Sequence, residues 1–293
     1  MHRFLSNAGV RIPQILYGTA WKKDETESLV RTALLRGFRG LDTAGQPRHY
    51  DESAVGAGVA SWLNANAPPD GNVSREDLYL QTKFTPLAGQ DPAQIPYDPT
   101  APLGDQVRQS YAASLQNLQT DYLDGLLLHS PLASDAQTLE VWRAMEALAD
   151  TGQVRQIGIS NCYALEQLKS LWESARVKPA VVQNRFYAET DYDREIRAYC
   201  REHQIIYQSF WTLAANPQIL AQPIVRDLAS SHHRTPAQIL FRYLTQSQVV
   251  PLTGTRSQTH MREDLSIFEF ELSELERQAM DALFSAARTA QPH

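Results

Sequence analysis

Asp42 and Tyr50 place a carboxylate and a phenol near each other along the chain. An apolar, strand-like run at 37–41 leads to Asp42, and a polar loop leads on to Tyr50. A tyrosine with its ordinary pKa of about 10 is a poor acid near neutral pH unless a nearby cation favours its anion. Lys83 can supply that cation, and Asp42 can fix the position of the ammonium. With His129 as a neutral donor to a carbonyl oxygen, the set predicts proton donation to a carbonyl that accepts a hydride.

More polar side chains follow other apolar runs of strand length. They are Ser160, Asn161, Gln183, Asn184 and the segment 253–256. Each one alone has an ordinary structural explanation, because strand ends are often solvated and buried histidines are often core residues. Together they predict one rim of a barrel, since barrel enzymes place their sites where the strands end.

Eight strand-like runs alternate with helical segments, and no linker or change of composition interrupts them. The strands are predicted at 14–17, 38–41, 78–82, 123–128, 154–159, 180–183, 205–208 and 249–252. The helices are predicted at 25–36, 52–65, 105–118, 136–150, 163–174, 192–203, 223–232 and 236–246. This alternation predicts the α/β class and a single (β/α)8 TIM barrel domain over 1–293, in preference to a two-domain doubly wound protein. A short hairpin around Gly9 and an extra helix at about 274–287 are expected at the two ends.

The composition of the chain limits the kinds of binding partner and cellular location that we expect. The chain has 293 residues, a net charge of −6 and no block rich in lysine or arginine, so we expect no nucleic-acid or anionic-membrane partner. We also expect no membrane span, because no run of about 18 apolar residues occurs. The two cysteines, Cys162 and Cys200, lack metal-site spacing and fit a reducing compartment, so no metal and a cytoplasmic location are expected. The oligomeric state is open, with a monomer favoured.

Two irregular segments, 84–104 and 210–223, follow strands of the predicted barrel. The first is either a substrate-lining loop carrying Phe84 and Tyr97 or a mobile spacer. Aromatic residues near the rim predict a pocket for a bulky apolar or aromatic carbonyl compound. The predicted lining is Trp21, Phe84, Tyr97, Phe210 and Trp211.

The order and spacing of several short motifs resemble the aldo-keto reductases over nearly the whole chain. The motifs lie at 18–21, 40–44, 80–83, 128–131, 152–161, 182–184 and 251–256. The resemblance implies that Asp42, Tyr50, Lys83 and His129 form a catalytic tetrad with Tyr50 as the general acid. It implies NADPH-dependent reduction of a small aldehyde or ketone, and it agrees with the absence of a GxGxxG motif.

The resemblance also implies where the cofactor binds. Ser160, Asn161 and Gln183 would hydrogen-bond the nicotinamide carboxamide. Arg256 would suit a 2′-phosphate because a guanidinium binds it bidentately, so NADPH is expected, with NADH as the alternative. The remaining cofactor-binding positions implied are Gly18, Thr19, Gln208, Ser209, Gly254, Thr255, Gln258 and Asp264.

Three departures from the family pattern stand out. The loop before Tyr50 is lengthened, which puts His49 where the acid usually falls; Tyr50 is favoured because an imidazole would be a different kind of acid. Gln208 stands where an aromatic residue usually stacks on the nicotinamide, so either Phe210 or Trp211 takes over the stacking or the ring is held less firmly. A lysine common near the 2′-phosphate is replaced by Leu252 or Thr253, which leaves Arg256.

Two other functions stay open at this point. One is an NADPH-binding regulatory protein with little turnover, resembling channel-associated subunits of the same family. The other is a barrel enzyme in which Lys83 forms a Schiff base with its substrate. The complete tetrad argues against the regulatory protein, and the Schiff-base enzyme would show no dependence on NADPH.

Overall fold

Eight parallel strands form a closed barrel in the computed structural model, which describes residues 2–65 and 73–286. The barrel strands are β3 (Leu16–Gly18), β4 (Gly40–Asp42), β5 (Tyr79–Phe84), β6 (Gly125–Leu128), β7 (Ile157–Ser160), β8 (Val181–Arg185), β9 (Ile206–Phe210) and β10 (Val249–Thr253). They follow one another in chain order, and β10 pairs with β3 to close the barrel. The predicted (β/α)8 barrel is therefore confirmed. The predicted hairpin is β1 (Arg3–Leu5) paired antiparallel with β2 (Arg11–Pro13).

Helices surround the barrel. They are α1 (Thr26–Arg36), α2 (Glu52–Ala65), α3 (Leu103–Leu118), α4 (Asp135–Asp150), α5 (Leu165–Ser174), α6 (Arg194–Glu202), α7 (Pro217–Leu220), α8 (Pro223–Ser231), α9 (Pro236–Gln246), α10 (Gln258–Leu265) and α11 (Glu274–Ala286). Short 3-10 helices lie at Lys23–Glu25, Arg75–Asp77, Leu87–Gly89, Ala188–Asp193 and Ser266–Glu269. The start of α9 shows why the prediction worked there: Thr235 and Gln238 form a capping box, and Pro236 occupies the first turn.

Helix α10 was not predicted, because its segment carries little apolar periodicity. Met261 is its one buried apolar residue, and the only local start signal is Ser257, whose hydroxyl accepts a hydrogen bond from the backbone N–H of His260. The extra C-terminal helix was predicted and is present as α11. The last predicted residue of that helix, 287, lies outside the described residues.

Several strands run further than the apolar pattern predicted. Lys83 and Phe84 pair with Leu127 and Leu128, so β5 ends at Phe84 rather than at 82. In the same way β9 extends to Phe210, opposite Arg185 on β8. Polar side chains continue the ladder because they point into the barrel mouth, where the apolar requirement ends. The rim residues are thus the strand ends themselves.

The interior of the barrel is apolar below and polar above. Leu16, Tyr79, Leu127, Val181 and Val250 belong to a buried apolar cluster inside the barrel. Two residues further along β5, β8 and β9, the next inward-facing residues are Gln81, Gln183 and Gln208. Because successive residues of a strand alternate in direction, this step leads from the core to the mouth of the barrel.

None of the helices in the described part of the chain has the length and apolar content needed to cross a membrane. Among residues 2–65 and 73–286, no group of three or more His, Cys, Asp or Glu side chains is arranged to hold a metal ion. Cys162 and Cys200 are free, buried thiols.

Candidate active site

A buried ion pair forms the base of the candidate site. Lys83 Nζ donates to Asp42 Oδ2 at 2.7 Å and to the Thr43 carbonyl at 2.8 Å. The side chains of Lys83 and Asp42 are 1% and 3% exposed. Burial lowers the pKa of Lys83 and the Asp42 carboxylate raises it again. The end of β4 and the inner face of β5 bring these two groups together, as the sequence predicted.

Tyr50 lies directly above this ion pair. Lys83 Nζ is 5.3 Å from the centre of the Tyr50 ring, and the His129 ring is 6.0 Å away in an edge-to-face arrangement. Burial, and then the Asp42 carboxylate, raise the pKa of Tyr50 above its ordinary value. The phenol is therefore protonated throughout the neutral range. The structure thus brings all four members of the predicted tetrad into one cluster.

His129 is neutral in this environment. Burial, then the Lys83 ammonium and His49, lower the pKa of His129 to about 3. Thr85 Oγ1 lies 2.7 Å from His129 Nδ1 and fixes the orientation of the ring. Sequence reasoning missed Thr85. Its position two residues after Lys83, on the same rim, was the available signal.

A layer of glutamines supports Asp42 from below. Asp42 Oδ1 accepts from Gln81 Nε2 at 2.7 Å and from Gln183 Nε2 at 2.9 Å. Gln208 Oε1 accepts from the same two amide nitrogens, each at 2.8 Å. Gln208 is thus fully buried in a hydrogen-bonded layer and is absent from the cavity wall. The sequence did not indicate this layer, because Gln81 sits inside an otherwise strand-like run.

His49, the other candidate for the acid, has different neighbours. Its ring stacks on Trp21 with 3.9 Å between ring centres, and its Nδ1 lies 2.7 Å from Gln46 Oε1. Burial, followed by the charge of Arg48, lowers the pKa of His49. Both His49 and Tyr50 face the cavity, but it is the Tyr50 ring that lies over Lys83.

Hydroxyl and amide groups line the wall beside the tetrad, at the ends of β7 and β8. Ser160 Oγ donates to the Gln183 carbonyl at 2.7 Å, and Asn161 Nδ2 donates to the His129 carbonyl at 2.8 Å. Asn184 on β8 is buried and holds the backbone that follows β7, because its side-chain amide accepts from the Cys162 N–H and donates to the Cys162 carbonyl. These contacts fix Ser160 and Asn161 relative to His129.

One large cavity of about 1090 Å³ contains most of the predicted site. Its wall includes the predicted residues Gly18, Trp21, Asp42, Tyr50, His129, Ser160, Asn161, Gln183, Phe210, Trp211, Gly254, Thr255 and Asp264. Its wall also includes Lys22, Arg226, His260 and Asp264, and the part of the cavity that these four residues line is called the outer arm. The Lys22 ammonium donates to the Gly254 carbonyl, and burial lowers the pKa of Lys22 to about 8. Burial raises the pKa of Asp264, in the same arm, to about 6.

Other predicted cofactor residues do not reach the cavity wall. Arg256 forms an ion pair with Glu25 and donates to the Trp21 carbonyl at 2.7 Å, and Gln258 accepts from Arg36. The approach of Glu25 to Arg256 could not be predicted from the sequence, because the two residues lie far apart along the chain. Thr19 and Ser209 are also buried away from the cavity. Thr19 Oγ1 donates to the Asp42 carbonyl, and Ser209 Oγ lies 2.9 Å from Thr212 Oγ1.

Phe84 and Tyr97 do not line the cavity either. Both are buried and pack together with 5.5 Å between ring centres. The Tyr97 hydroxyl donates to the Thr85 carbonyl at 2.8 Å, and Gln90 Nε2 donates to the Gly45 carbonyl at 2.8 Å. The segment 84–104 thus packs Phe84 and Tyr97 inside the protein rather than against this cavity. It braces the backbone around Thr85 and the loop that carries Tyr50.

Comparisons with known proteins agree with this geometry. The family model described as the aldo/keto reductase family matches residues 14–284. The chain is 28% identical over 277 residues to an uncharacterized oxidoreductase of Bacillus subtilis, covering 94% of this chain and 90% of the relative. It is 30% identical over 260 residues to the glyoxal reductase of the same organism, covering 89% and 83%. An aldo-keto reductase from a Medee basin deep-sea metagenome library has a similar structure, with a TM-score of 0.80 and 25% identity over 96% of this chain and 94% of that one.

Proposed function

The chain belongs to the aldo/keto reductase family and is an NAD(P)H-dependent oxidoreductase, and we propose that it uses NADPH to reduce an aldehyde or ketone with Tyr50 as the proton donor. Carbonyl reduction is the activity of the family. The identity of the acid, the preference for NADPH and the residues that bind it are the proposed parts. The observation that carries them is the cluster of Tyr50 and His129 above a buried Asp42–Lys83 pair at the base of the cavity.

The chemistry of the cavity wall fits a nicotinamide dinucleotide. Ser160, Asn161 and Gln183 offer hydroxyl and amide groups beside the tetrad, which suits a carboxamide. Lys22 and Arg226 in the outer arm offer positive charge for phosphates and His260 offers a ring N–H, and this favours NADPH over NADH. These cations, rather than Arg256, are proposed as the phosphate ligands. When bound, the reduced nicotinamide supplies the hydride.

Tyr50 is proposed to donate the proton to the carbonyl oxygen. No partner for the Tyr50 hydroxyl occurs among the described residues, so its O–H is free to donate. As the proton leaves, negative charge develops on the phenol oxygen, and the Lys83 ammonium stabilises it from below. Asp42 and the Thr43 carbonyl keep that ammonium in place.

His129 is proposed to orient the same carbonyl oxygen. If the Thr85 hydroxyl donates to Nδ1, the proton of the neutral ring sits on Nε2, which then donates toward the cavity. A neutral donor suits this role because an imidazolium is a stronger acid than a phenol and would itself donate the proton in place of Tyr50. A carbonyl held between Tyr50 and His129 is oriented for hydride attack.

A substrate panel tests the proposal. The loss of reduced-nicotinamide absorbance is followed with NADPH and with NADH against aldehydes, ketones and small dicarbonyls, starting with glyoxal because one relative is named for it. Turnover with NADPH supports the reductase. Silence across the panel together with tight NADPH binding would support the regulatory alternative.

The Schiff-base alternative has little support. Lys83 is buried, donates to Asp42 and Thr43, and does not line the cavity. Trapping of a carbonyl substrate on Lys83 by borohydride, without any dependence on NADPH, is the result that would favour it.

A further inference from the structure

Arg185 presents an uncompensated guanidinium to the catalytic cavity. It is the last residue of β8, its side chain is half-buried, and it lines the same cavity as Tyr50 and His129. Its Nε atom is buried without a hydrogen-bond acceptor, and no ion pair involves Arg185 within the described ranges 2–65 and 73–286. A charged group left in this state is expected to have an external partner, because unpaired buried donors are unfavourable.

Two aromatic rings hold the guanidinium in place. Arg185 Cζ lies 4.3 Å from the centre of the Trp211 ring and 5.2 Å from that of the Tyr187 ring. Such cation–π contacts fix the orientation of the group without neutralising its charge. The terminal Nη groups, which make no hydrogen bond or ion pair among the described residues, therefore stay available to an anion.

The backbone on both sides of this contact is constrained. Trp211 has a left-handed backbone with φ of 56°, which is unfavourable for a residue with a side chain, and its ring stays 51% exposed at the cavity mouth. The N–H of Arg185 donates to the Tyr163 hydroxyl at 3.1 Å, and that hydroxyl donates to Asn161 Oδ1 at 3.0 Å. Arg185 is thus tied to the wall beside the tetrad.

Three carboxylates line the cavity, those of Asp42, Glu263 and Asp264, and none of them forms an ion pair with Arg185. Asp42 is paired with Lys83 at the base, and Asp264 accepts from Thr253 in the outer arm. Gln183 and Arg185 face the same side of β8, and the backbone of Arg185 lies about 7 Å further along the strand toward the mouth. An anion bound to Arg185 would therefore belong to a molecule whose reacting end lies between Tyr50 and His129.

We propose that Arg185 binds a carboxylate of the substrate, so that the preferred substrates are aldehydes or ketones bearing a carboxylate several bonds from the carbonyl group. A guanidinium matches a carboxylate through two parallel hydrogen bonds. This inference rests on the proposed reductase function, and it adds the chemical class of the substrate. The Trp21 and Trp211 rings at the mouth suit an apolar or aromatic spacer between the two groups.

Matched substrates provide the test. 4-Formylbenzoate and its methyl ester differ in charge but present the same aldehyde, and kcat/KM is measured for both with NADPH. The wild type is expected to favour the carboxylate roughly ten- to hundredfold, and Arg185→Gln is expected to remove most of that preference while leaving the ester within about threefold. Arg185→Lys should restore part of it. Arg108→Gln, which alters an exposed arginine on α3 outside the cavity, is the control and should change neither value.

Three results would overturn the inference. The wild type could show no preference for the carboxylate, or Arg185→Gln could retain the preference. Arg185→Gln could instead raise the KM for NADPH equally with both substrates, which would make Arg185 a cofactor ligand.

A binding experiment separates this inference from the proposed function. 4-(Hydroxymethyl)benzoate is titrated calorimetrically into the wild type and Arg185→Gln in the presence of NADP+. At least tenfold weaker binding to the variant supports the carboxylate site even if the substrate panel is silent. Equal binding contradicts the site even if the ester is reduced.

Discussion

The Asp42–Lys83 ion pair is expected to dominate the stability of the site, and Asp42→Asn tests this. The substitution keeps the shape of the side chain but leaves the buried Lys83 ammonium with the Thr43 carbonyl as its acceptor. Breaking a buried pair by removing one partner costs about 3–5 kcal/mol. We expect a loss of this size in the free energy of unfolding at pH 7, measured by urea denaturation.

The loss should depend on pH in a defined direction. Burial lowers the pKa of Lys83, and without Asp42 the opposing effect of the carboxylate is gone. Just below the ordinary lysine pKa of about 10.4, the folded variant then binds fewer protons than the unfolded chain. The free energy of unfolding of the variant therefore falls as the pH falls below about 10.4. The difference from the wild type should therefore be smaller at pH 10 than at pH 7.

A second variant separates stability from catalysis. The double variant Asp42→Asn, Lys83→Met removes both charges, so it should regain most of the stability but no activity. Asp150→Asn is the control, because it breaks a surface pair with Arg176 at 2.6 Å whose side chains are 55% and 60% exposed, and it should cost less than about 1 kcal/mol. A loss below about 1 kcal/mol for Asp42→Asn at pH 7, or a double variant less stable than the single one, would refute the reasoning.

Three further predictions concern neighbouring groups. Because the pKa of His129 is lowered to about 3, the wild type should lose about 2 kcal/mol more stability than His129→Gln between pH 7 and pH 5, as followed by denaturation at each pH. Equal losses would contradict a neutral His129. Gln208→Leu removes one of the two acceptors of the buried Gln81 and Gln183 amides, which keep Asp42 Oδ1 as the other, so thermal and urea denaturation should show roughly 2 kcal/mol of destabilisation; a neutral effect would contradict a stabilising role for the glutamine layer. Arg226→Gln should raise the KM for NADPH at least several-fold more than that for NADH, while Arg256→Gln should leave their ratio nearly unchanged, and the reverse pattern would return the phosphate role to Arg256.

The barrel and the tetrad were predictable because both depend on short-range signals. Apolar runs, helix caps and a polar residue at each strand end are local, and a closed parallel barrel brings those ends to one rim. Asp42, Lys83 and His129 lie together for that reason. The ends of β5, β8 and β9 were placed two residues too early, since polar residues there interrupt the apolar pattern without interrupting the ladder.

Side-chain partners from distant segments were not predictable. Arg256 was assigned to a phosphate, but the fold brings Glu25 to it from the opposite end of the chain. Tyr97 looked like pocket lining, yet its hydroxyl bonds the Thr85 carbonyl. Arg185 gave no signal at all, because its lack of a partner is a property of the folded cavity.

The most direct test of the proposed chemistry is the turnover number of Tyr50→Phe for NADPH-dependent aldehyde reduction, with His49→Gln measured beside it. The phenylalanine keeps the ring over Lys83 and removes the acidic hydrogen. We expect kcat to fall about 10²–10⁴-fold for Tyr50→Phe, with an unchanged Kd for NADPH, and to change little for His49→Gln. A near wild-type kcat for Tyr50→Phe combined with a collapse for His49→Gln would contradict the assignment of Tyr50 as the acid.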